Sequence, residues 1–569
     1  MSILRFKKAN CKNCYKCIRN CPIKAIELKD GQAQVIESDC VLCGKCVLVC
    51  PQNAKEVRND VSAAKALIAS GKKVFASIAP AFIASYGVSG IDAFSSYLKK
   101  LGFAGVSETA QGAYVVKSEY EKLVENRTED VIISSCCSTI VTLIQKYHPG
   151  ILKYVAHVLS PMQTHARLIK EENPGSYVVF IGPCISKKHE AEAYSGYVDC
   201  VLTFDELNDW FSEENIELPA APEALDSTKY LSRFFPVSGG ILKTMKKDPA
   251  FSYITVDGME NCLEAIGELE KGNLKNCFIE MSACPGSCIN GPSIRRHKHS
   301  VLSSKMRTEN YASSHPEQVC YEKDYNVKTD MDLTKHISDE RISVVMPGEA
   351  QIEEILRKMG KTKKEDELNC GTCGYATCRD KAVAVYFGKA EISMCLPYMM
   401  EKAASLSDKI IEATPNAIIT VDKDLKIRQI NDACCDMFGI VDAKDVIGKD
   451  VSLLMSADNF LSVLGGDERL ITTKEFMAEY NIVADQTFIY DAPNNIAICI
   501  MRDITEREHI LEKNREMKNE AAGIADKVIE KQMRVIQEIA SLLGETTAET
   551  KIALTELKNS ILEEDTIEE

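Results

Sequence analysis

The chain has 569 residues, 45% hydrophobic and 27% charged, a balance that excludes wholesale disorder. Its formal net charge of −15 argues against nucleic acid or an anionic membrane surface as a partner. No apolar run approaches the ~18–20 residues needed to span a bilayer, and at ~100–200 residues per domain the length implies roughly three to five domains. The unusual number is 24 cysteines. The start, MSILRFKKAN, has no apolar stretch of the secretory kind. Most of the cysteines fall in C-x2-C spacings, which aim two sulfurs at one point. Metal binding is therefore favoured over disulfides, and a cytoplasmic, oxygen-avoiding iron–sulfur protein is expected.

Residues 1–58 carry the run Cys11, Cys14, Cys17, Cys21-Pro22. It recurs 29 residues later as Cys40, Cys43, Cys46, Cys50-Pro51. A short strand pair, AIELKDGQAQVI, is expected between the halves, turning at Asp30-Gly31. The spacing resembles the bacterial two-cluster ferredoxins, in which the fourth cysteine of each run serves the other cluster. That resemblance implies two [4Fe-4S] clusters, one on Cys11, Cys14, Cys17 and Cys50, the other on Cys40, Cys43, Cys46 and Cys21. A pair of zinc knuckles is the alternative.

Residues 59–345 read as α/β. VSAAKALIASGKKVFASIAP predicts an amphipathic helix followed by a buried strand. DVIISSCCS, SYVVFIGPC and KNCFIEMSAC are further buried-strand candidates, each running into cysteine at its C-terminal end. Such strands predict one site at the edge of a mostly parallel sheet. Residues 293–345 are polar and irregular, as in a wrapping or linking segment.

Three segments carry the chemistry: Ser134-Ser135-Cys136-Cys137, Gly182-Pro183-Cys184-x2-Lys187-x2-Glu190, and Glu280-x3-Cys284-x3-Cys288. Together they resemble the motifs that hold the H-cluster of [FeFe]-hydrogenases. The resemblance covers nearly all of residues 1–292. It implies a cubane on Cys137, Cys184, Cys284 and Cys288, with Cys288 bridging to a two-iron subsite that carries CO, cyanide and a bridging dithiolate. Lys187 falls where the family hydrogen-bonds a cyanide, and Glu190 would pair with or orient it, because a lone buried charge is costly. Cys136 falls on the family's proton-shuttle cysteine. Glu119 lies where hydrogenases often carry a relay carboxylate, but it reads here as a solvated helix residue.

The motifs also depart from the family. Gly182 and Ser282 stand where methionines are usual, Ser138 stands where a proline is expected, and Asn290-Gly291-Pro292 replaces a glycine run. Smaller residues are expected to open the pocket and alter potential and ligand affinity, which argues for low turnover. They resemble the sensory members of the family. A plain four-cysteine cubane, as in the hydrogenase-like iron–sulfur assembly factors, is the alternative.

Residues 346–400 begin with a short helix, EAQIEEILRKMGK, and continue to Cys370-Gly-Thr-Cys373-Gly-Tyr-Ala-Thr-Cys378, with sixteen residues between Cys378 and Cys395. This resembles a small four-cysteine [4Fe-4S] module, with zinc as the alternative. Residues 405–505 resemble a PAS domain: Asp422 and Asp424 at a strand–turn–strand, Asn431 opening a helix, and Asp503-Ile504-Thr505 closing the last strand. Residues 506–569 carry a heptad seam from Ile529 through Met533, Ile536, Ala540, Leu543, Thr547, Thr550, Leu554 and Leu557 to Ile561, which predicts a parallel homodimeric coiled coil, with a helix packed on its own PAS domain as the alternative. Outside the motifs, Cys200, Cys262, Cys277, Cys320, Cys434, Cys435 and Cys499 read mostly as small buried hydrophobes.

The expectation is a five-part α/β and α+β protein: ferredoxin-like domain, α/β hydrogenase domain, four-cysteine module, PAS domain and signalling helix. Its expected activity is slow H2 = 2H+ + 2e− chemistry used for hydrogen or redox sensing. Expected partners are H2 and protons, a ferredoxin-type redox protein, the maturation proteins that deliver the subsite, and a signalling partner. A metabolic ferredoxin-linked hydrogenase and a non-catalytic iron–sulfur redox sensor are the alternatives.

Overall fold

In residues 1–58 the two halves of the cysteine repeat fold alike. The computed structural model of the protein describes residues 2–543 apart from 8–9, 30–31, 128, 220–222, 296–299, 317–322, 344 and 467–468, and also 552–553 and 555–556. β1 (Leu4–Phe6) leads to α1 (Lys16–Asn20). β2 (Ile26–Lys29) and β3 (Gln32–Val35) form the expected antiparallel pair, whose turn at Asp30-Gly31 lies outside the described residues. α2 (Lys45–Val49) repeats α1, and β4 (Lys55–Val57) pairs back on β1. Each half enters its helix through a left-handed residue, Tyr15 at φ 56° and Gly44 at φ 74°. The second must be glycine, since a Cβ there would lie 2.5 Å from Pro292 Cγ.

Residues 59–345 open with α3 (Val61–Ala69) and β5 (Val74–Ile78), then α4 (Phe82–Ser85), α5 (Ile91–Lys100), β6 (Gly105–Glu108) and α6 (Ala110–Glu125). β7 (Val131–Ile133) and α7 (Ser138–Tyr147) follow, then α8 (Pro161–Glu172), β8 (Tyr177–Gly182), α9 (Ser186–Ala193), β9 (Cys200–Thr203) and α10 (Phe204–Glu213). α11 (Gly240–Thr244), β10 (Ser252–Asp257), α12 (Met259–Glu270) and β11 (Cys277–Ser282) complete it. The single sheet predicted from sequence is two. One has the order β6-β5-β8-β9 and the other β10-β11-β7, and both are wholly parallel. Every residue of β11 is buried, as is every residue of β8 except Tyr177. Parallel sheets covered on both faces produce such continuous apolar runs. Each sheet has its own core, one around Phe82, Phe94, Phe180 and Trp210, the other around Ile133, Ile144 and Ile279.

The segment 293–345 is more than a linker. It includes α14 (Val301–Ala312), which follows α13 (Pro292–Arg295) and buries Tyr311 completely. It also returns a wholly buried lysine, Lys335, to Glu190 of α9. α15 (Glu349–Lys358), α16 (Cys378–Tyr386) and the start of α17 (Leu396–Ala413) frame the second cysteine group.

The chain divides into two units, Met1–Tyr398 and Met399–Glu569. In the second, β12 (Ala417–Asp422), β13 (Ile427–Ile430), α18 (Asp432–Phe438), α19 (Asp458–Leu464), β14 (Leu470–Met477), β15 (Ile482–Asp491) and β16 (Ile496–Asp503) form an antiparallel sheet of order β13-β12-β16-β15-β14 with helices beside it. Asn431 caps α18, its side chain accepting from the Cys434 amide at 3.0 Å. Cys434 and Cys499 lie fully buried in the core of this domain. α20 (Thr505–Leu543) continues from it. Ile529, Met533 and Ile536 of the seam are half-buried along α20, and Thr547, Thr550, Leu554, Leu557 and Ile561 lie outside the described residues.

Candidate iron–sulfur and hydrogenase-type site

The two parallel sheets meet at the C-terminal ends of β7, β8 and β11, and the turns there deliver the cysteines. Cys137 is the residue before α7, Cys184 lies between β8 and α9, Cys284 follows β11, and Cys288 sits in a 3-10 turn at Ser287–Asn290. The four thiols lie within electrostatic reach of one another. Cys284 is raised by burial and then by Cys184, Cys288 and Cys137. Cys288 is open to the surface on one side, yet surrounding protein pushes its thiol up to about 12. Backbone amides of Ala283 and Ile140 point at the Cys137 sulfur.

Ser138, found in place of the expected proline, joins a hydroxyl cluster. Its Oγ lies 2.6 Å from Ser186 Oγ, which is itself 3.1 Å from Cys184 Sγ. At Gly182 the pocket is not opened as expected. A Cβ there would lie 2.8 Å from the Phe180 ring and 3.1 Å from Ala79 Cβ, so those side chains take the space. Ser282 Oγ is buried with no hydrogen-bond partner among the described residues. Four convergent thiols and an orphaned hydroxyl two residues from Cys284 suit a polynuclear group with sulfur and polar ligands. Among the described residues, no three His, Cys, Asp or Glu side chains gather closely enough for a single metal ion.

Lys187 Nζ donates to Cys136 O at 3.1 Å and to Glu190 Oε2 at 2.5 Å. Burial opposes its charge, but Glu190 outweighs that and raises its pKa. Glu190 also accepts from Lys335 Nζ at 2.7 Å. Burial would lift the Glu190 carboxyl, yet the two lysines pull it down to about 2. Cys136 Sγ lies 3.2 Å from the hydroxyl of Tyr120, a fully buried residue of α6 that also accepts from the Ser135 amide at 3.0 Å. Burial pushes the Cys136 thiol up to about 12. Glu119 instead pairs with Lys122 at 2.7 Å on the outer side of α6. Lys335 and Tyr120 are the residues sequence reasoning missed. Glu280 accepts from the Gly239 and Leu242 amides at 2.9 and 3.1 Å, which fastens the start of α11, and its carboxyl is also within electrostatic reach of Cys136.

In the ferredoxin-like region Cys46 feels Cys43, Cys40 and Cys21, whereas Cys17 feels Cys50 and Cys11, an exchange between the two halves. The amides of Ala25 and Ala54 each donate to a sulfur at 3.3 Å, Cys21 and Cys50 respectively. Cys43 is near enough to Cys284 to raise its pKa. In the second cysteine group Cys370, Cys373, Cys378 and Cys395 line one cavity, together with Lys381 and Tyr375. Cys200, Cys262 and Cys277 are buried, and Cys320 lies outside the described residues.

Residues 72–292 match the iron-only hydrogenase large subunit, C-terminal domain. Residues 10–54 match a 4Fe-4S dicluster domain, 366–397 an Fe-S cluster family and 406–504 the PAS fold. The chain thus combines a 4Fe-4S dicluster domain, an iron-only hydrogenase large-subunit domain and a PAS fold. It is 26% identical to the cytosolic Fe-S cluster assembly factor narfl of Danio rerio over 43% of this chain and 78% of that protein. It is also 26% identical to the NADP-reducing hydrogenase subunit HndD of Solidesulfovibrio fructosivorans, over 52% of this chain and 58% of that one. A solved [FeFe]-hydrogenase, HydA1 from Chlamydomonas reinhardtii, is similar at 18% identity with a TM-score of 0.40, covering 50% of this chain and 100% of that chain. No described helix is long and apolar enough to cross a membrane.

Proposed function

We propose that the chain is a hydrogen-responsive [FeFe]-hydrogenase of low turnover that signals through its PAS domain and C-terminal helix. Cys137, Cys184, Cys284 and Cys288 would hold the cubane of an H-cluster, with Cys288 bridging to the two-iron subsite and its CO, cyanide and dithiolate ligands. When bound, that group supplies H2 = 2H+ + 2e−. Two [4Fe-4S] clusters would sit on Cys11, Cys14, Cys17, Cys50 and on Cys40, Cys43, Cys46, Cys21, and a further one on Cys370, Cys373, Cys378, Cys395.

The observation that carries this reading is the buried set Lys187–Glu190–Lys335. Two ammonium groups share one carboxylate, which leaves that set one positive charge in excess beside Cys136 and Cys184. A buried excess charge is costly unless an anionic ligand offsets it, and cyanide is such a ligand. Lys187 presents the charge-assisted donor, and Glu190 and Lys335 fix it. Cys136 Sγ takes or gives the proton, with the Tyr120 hydroxyl holding the thiol in place.

For the signalling half, Thr505 Oγ1 donates to Asp503 Oδ1 at 2.5 Å and accepts from the Val483 amide at 2.9 Å, which ties the start of α20 to β15 and β16. Movement of that sheet would therefore reach the helix. A homodimeric coiled coil, a ferredoxin-type redox partner, maturation proteins and an unidentified signalling partner belong to this reading.

Equal identity to the zebrafish assembly factor and to HndD favours a second reading, a non-catalytic iron–sulfur protein with a cubane alone. H2 added to matured, anaerobic protein should reduce its clusters, seen by electron paramagnetic resonance, slowly compared with a metabolic hydrogenase. Spin labels on α20 should change their separation at the same time. Clusters left oxidised under H2 would overturn the hydrogenase reading, and fast turnover would make it a metabolic one.

A further inference from the structure

The four-cysteine module packs directly on the ferredoxin-like domain. Tyr375, Ala384, Ala390 and Met394 share an apolar core with Cys17, Ile18, Cys21 and Val47. Gly374 has φ 93°, and a Cβ there would lie 2.7 Å from Arg19 Cγ and 2.8 Å from Arg19 Cα. The two backbones therefore touch where only glycine fits. Lys24 Nζ donates to Gly374 O at 2.5 Å, Arg19 Nη1 donates to Thr372 O at 3.4 Å, and Lys389 pairs with Asp39 at 2.5 Å.

Two side chains stand between Cys21 on one side and Cys373 on the other. Tyr375 is 4% exposed, and its hydroxyl has no hydrogen-bond partner among the described residues. Tyr375 shares its buried core with Cys21, and Cys373 packs against that same core. Lys24 Nζ lies 5.5 Å from the centre of the Tyr375 ring and feels both Cys21 and Cys373. A buried hydroxyl left unmet is destabilising, so a partner outside the described side chains is expected. Sulfurs held by the two cysteine groups are the acceptors at hand.

The geometry points to an electron junction at this contact: the cluster on Cys21, Cys40, Cys43 and Cys46 exchanges electrons with the cluster on Cys370, Cys373, Cys378 and Cys395, tuned by Tyr375 and Lys24. In each step one [4Fe-4S] core goes from +1 to +2 and the other from +2 to +1. One electron moves, and no bond or proton changes. H2 oxidation supplies the electrons in the protein, and a dithionite-type reductant supplies them in the test. Cys43 packs against the same buried core as Cys137, so the same cluster also borders the hydrogenase-type site. The module thus branches from the inner ferredoxin-type cluster. Tyr375 and Lys24 are positioning residues, since hydrogen bonds and charge at the sulfurs set cluster potentials.

This rests on the cluster assignments of the proposed function but not on the two-iron subsite. The test uses the full chain with its cubanes reconstituted, titrated potentiometrically by electron paramagnetic resonance. Tyr375→Phe should make the module cluster harder to reduce by about tenfold in the equilibrium, which is about 59 mV for one electron. Lys24→Met should shift both the module cluster and the inner ferredoxin-type cluster the same way. Unchanged potentials with full iron content, or zinc in the module, would overturn the junction. Should a variant lose iron, the unmodified protein decides. Mutual magnetic broadening of the two reduced clusters supports the junction, and independent signals overturn it. Absence of CO and cyanide bands would sink the hydrogenase reading and leave this result standing.

Discussion

Lys335 Nζ lies 2.7 Å from Glu190 Oε1, although 145 residues separate them. Both side chains are almost wholly buried, at 1% and 2% exposure. The polar segment after α14 therefore closes the electrostatics of a site built by residues far upstream.

Removing Lys335 leaves Glu190 with Lys187 as its remaining ammonium partner in that set. Lys335→Met removes one of the two charge-assisted bonds to Glu190 and should destabilise the unit Met1–Tyr398 by about 1.5 kcal/mol, the low end for a hydrogen bond to a charged group. Glu190 is held at about 2, below the ordinary carboxylate value. Its stabilisation is thus fully present above that ordinary value and is lost as pH falls toward 2. In the variant, acid unfolding should begin at higher pH. Circular dichroism against pH and denaturant checks both effects, and superimposable curves would count against the pair.

The 3.2 Å contact between the Tyr120 hydroxyl and Cys136 Sγ makes the thiol's orientation depend on α6. Cys136→Ala should lower H2 turnover by ~10²–10⁴-fold, the usual range for an acid–base group. Tyr120→Phe should lower it by about tenfold and leave cluster content and infrared spectrum unchanged, because the thiol stays but is no longer held. Glu119→Gln should change turnover little, since Glu119 pairs with Lys122. Rates from hydrogen uptake with an artificial acceptor would distinguish the three.

Glu280 is pushed up to about 7 by burial, against the amides of Leu242 and Gly239 that favour its charge. A raised carboxyl contributes stability that is fully present below its unfolded value and is lost as pH rises through 7. The stability of this unit should therefore fall by about 3 kcal/mol between pH 5 and pH 8, at ~1.4 kcal/mol per unit. Glu280→Gln gives up one backbone bond but should abolish that pH slope. Urea midpoints at the two pH values read the slope directly.

Thr505 holds the start of α20 to the PAS sheet through Asp503 and the Val483 amide. Thr505→Val removes both bonds and should cost about 1 kcal/mol locally. Faster hydrogen exchange at Val483 is expected, together with loss of any H2-dependent change along α20. Unaltered exchange at that amide would separate Thr505 from the coupling.

The two-cluster motif of residues 10–54 was legible because its cysteine spacing is local and repeats at 29 residues. β7, β8 and β11 were legible because buried parallel strands are continuously apolar. Their division between two sheets was not, since strand composition does not encode which strand is its neighbour. Lys335 carried no local signal, because its partner is set by the fold alone. Tyr120 reads as one more residue of an amphipathic helix, and Tyr375 as one of a glycine-punctuated loop. Only their burial beside Cys136 in one case, and between Cys21 and Cys373 in the other, marks them.

Infrared spectroscopy of matured, anaerobic protein under H2 and then argon tests the central claim most directly. CO and cyanide bands that shift between the two gases are predicted, with the cyanide bands moving in Lys187→Met as the charge-assisted donor is lost. Full cubane content without any such bands after maturation would contradict the account and leave an iron–sulfur protein with no hydrogen chemistry.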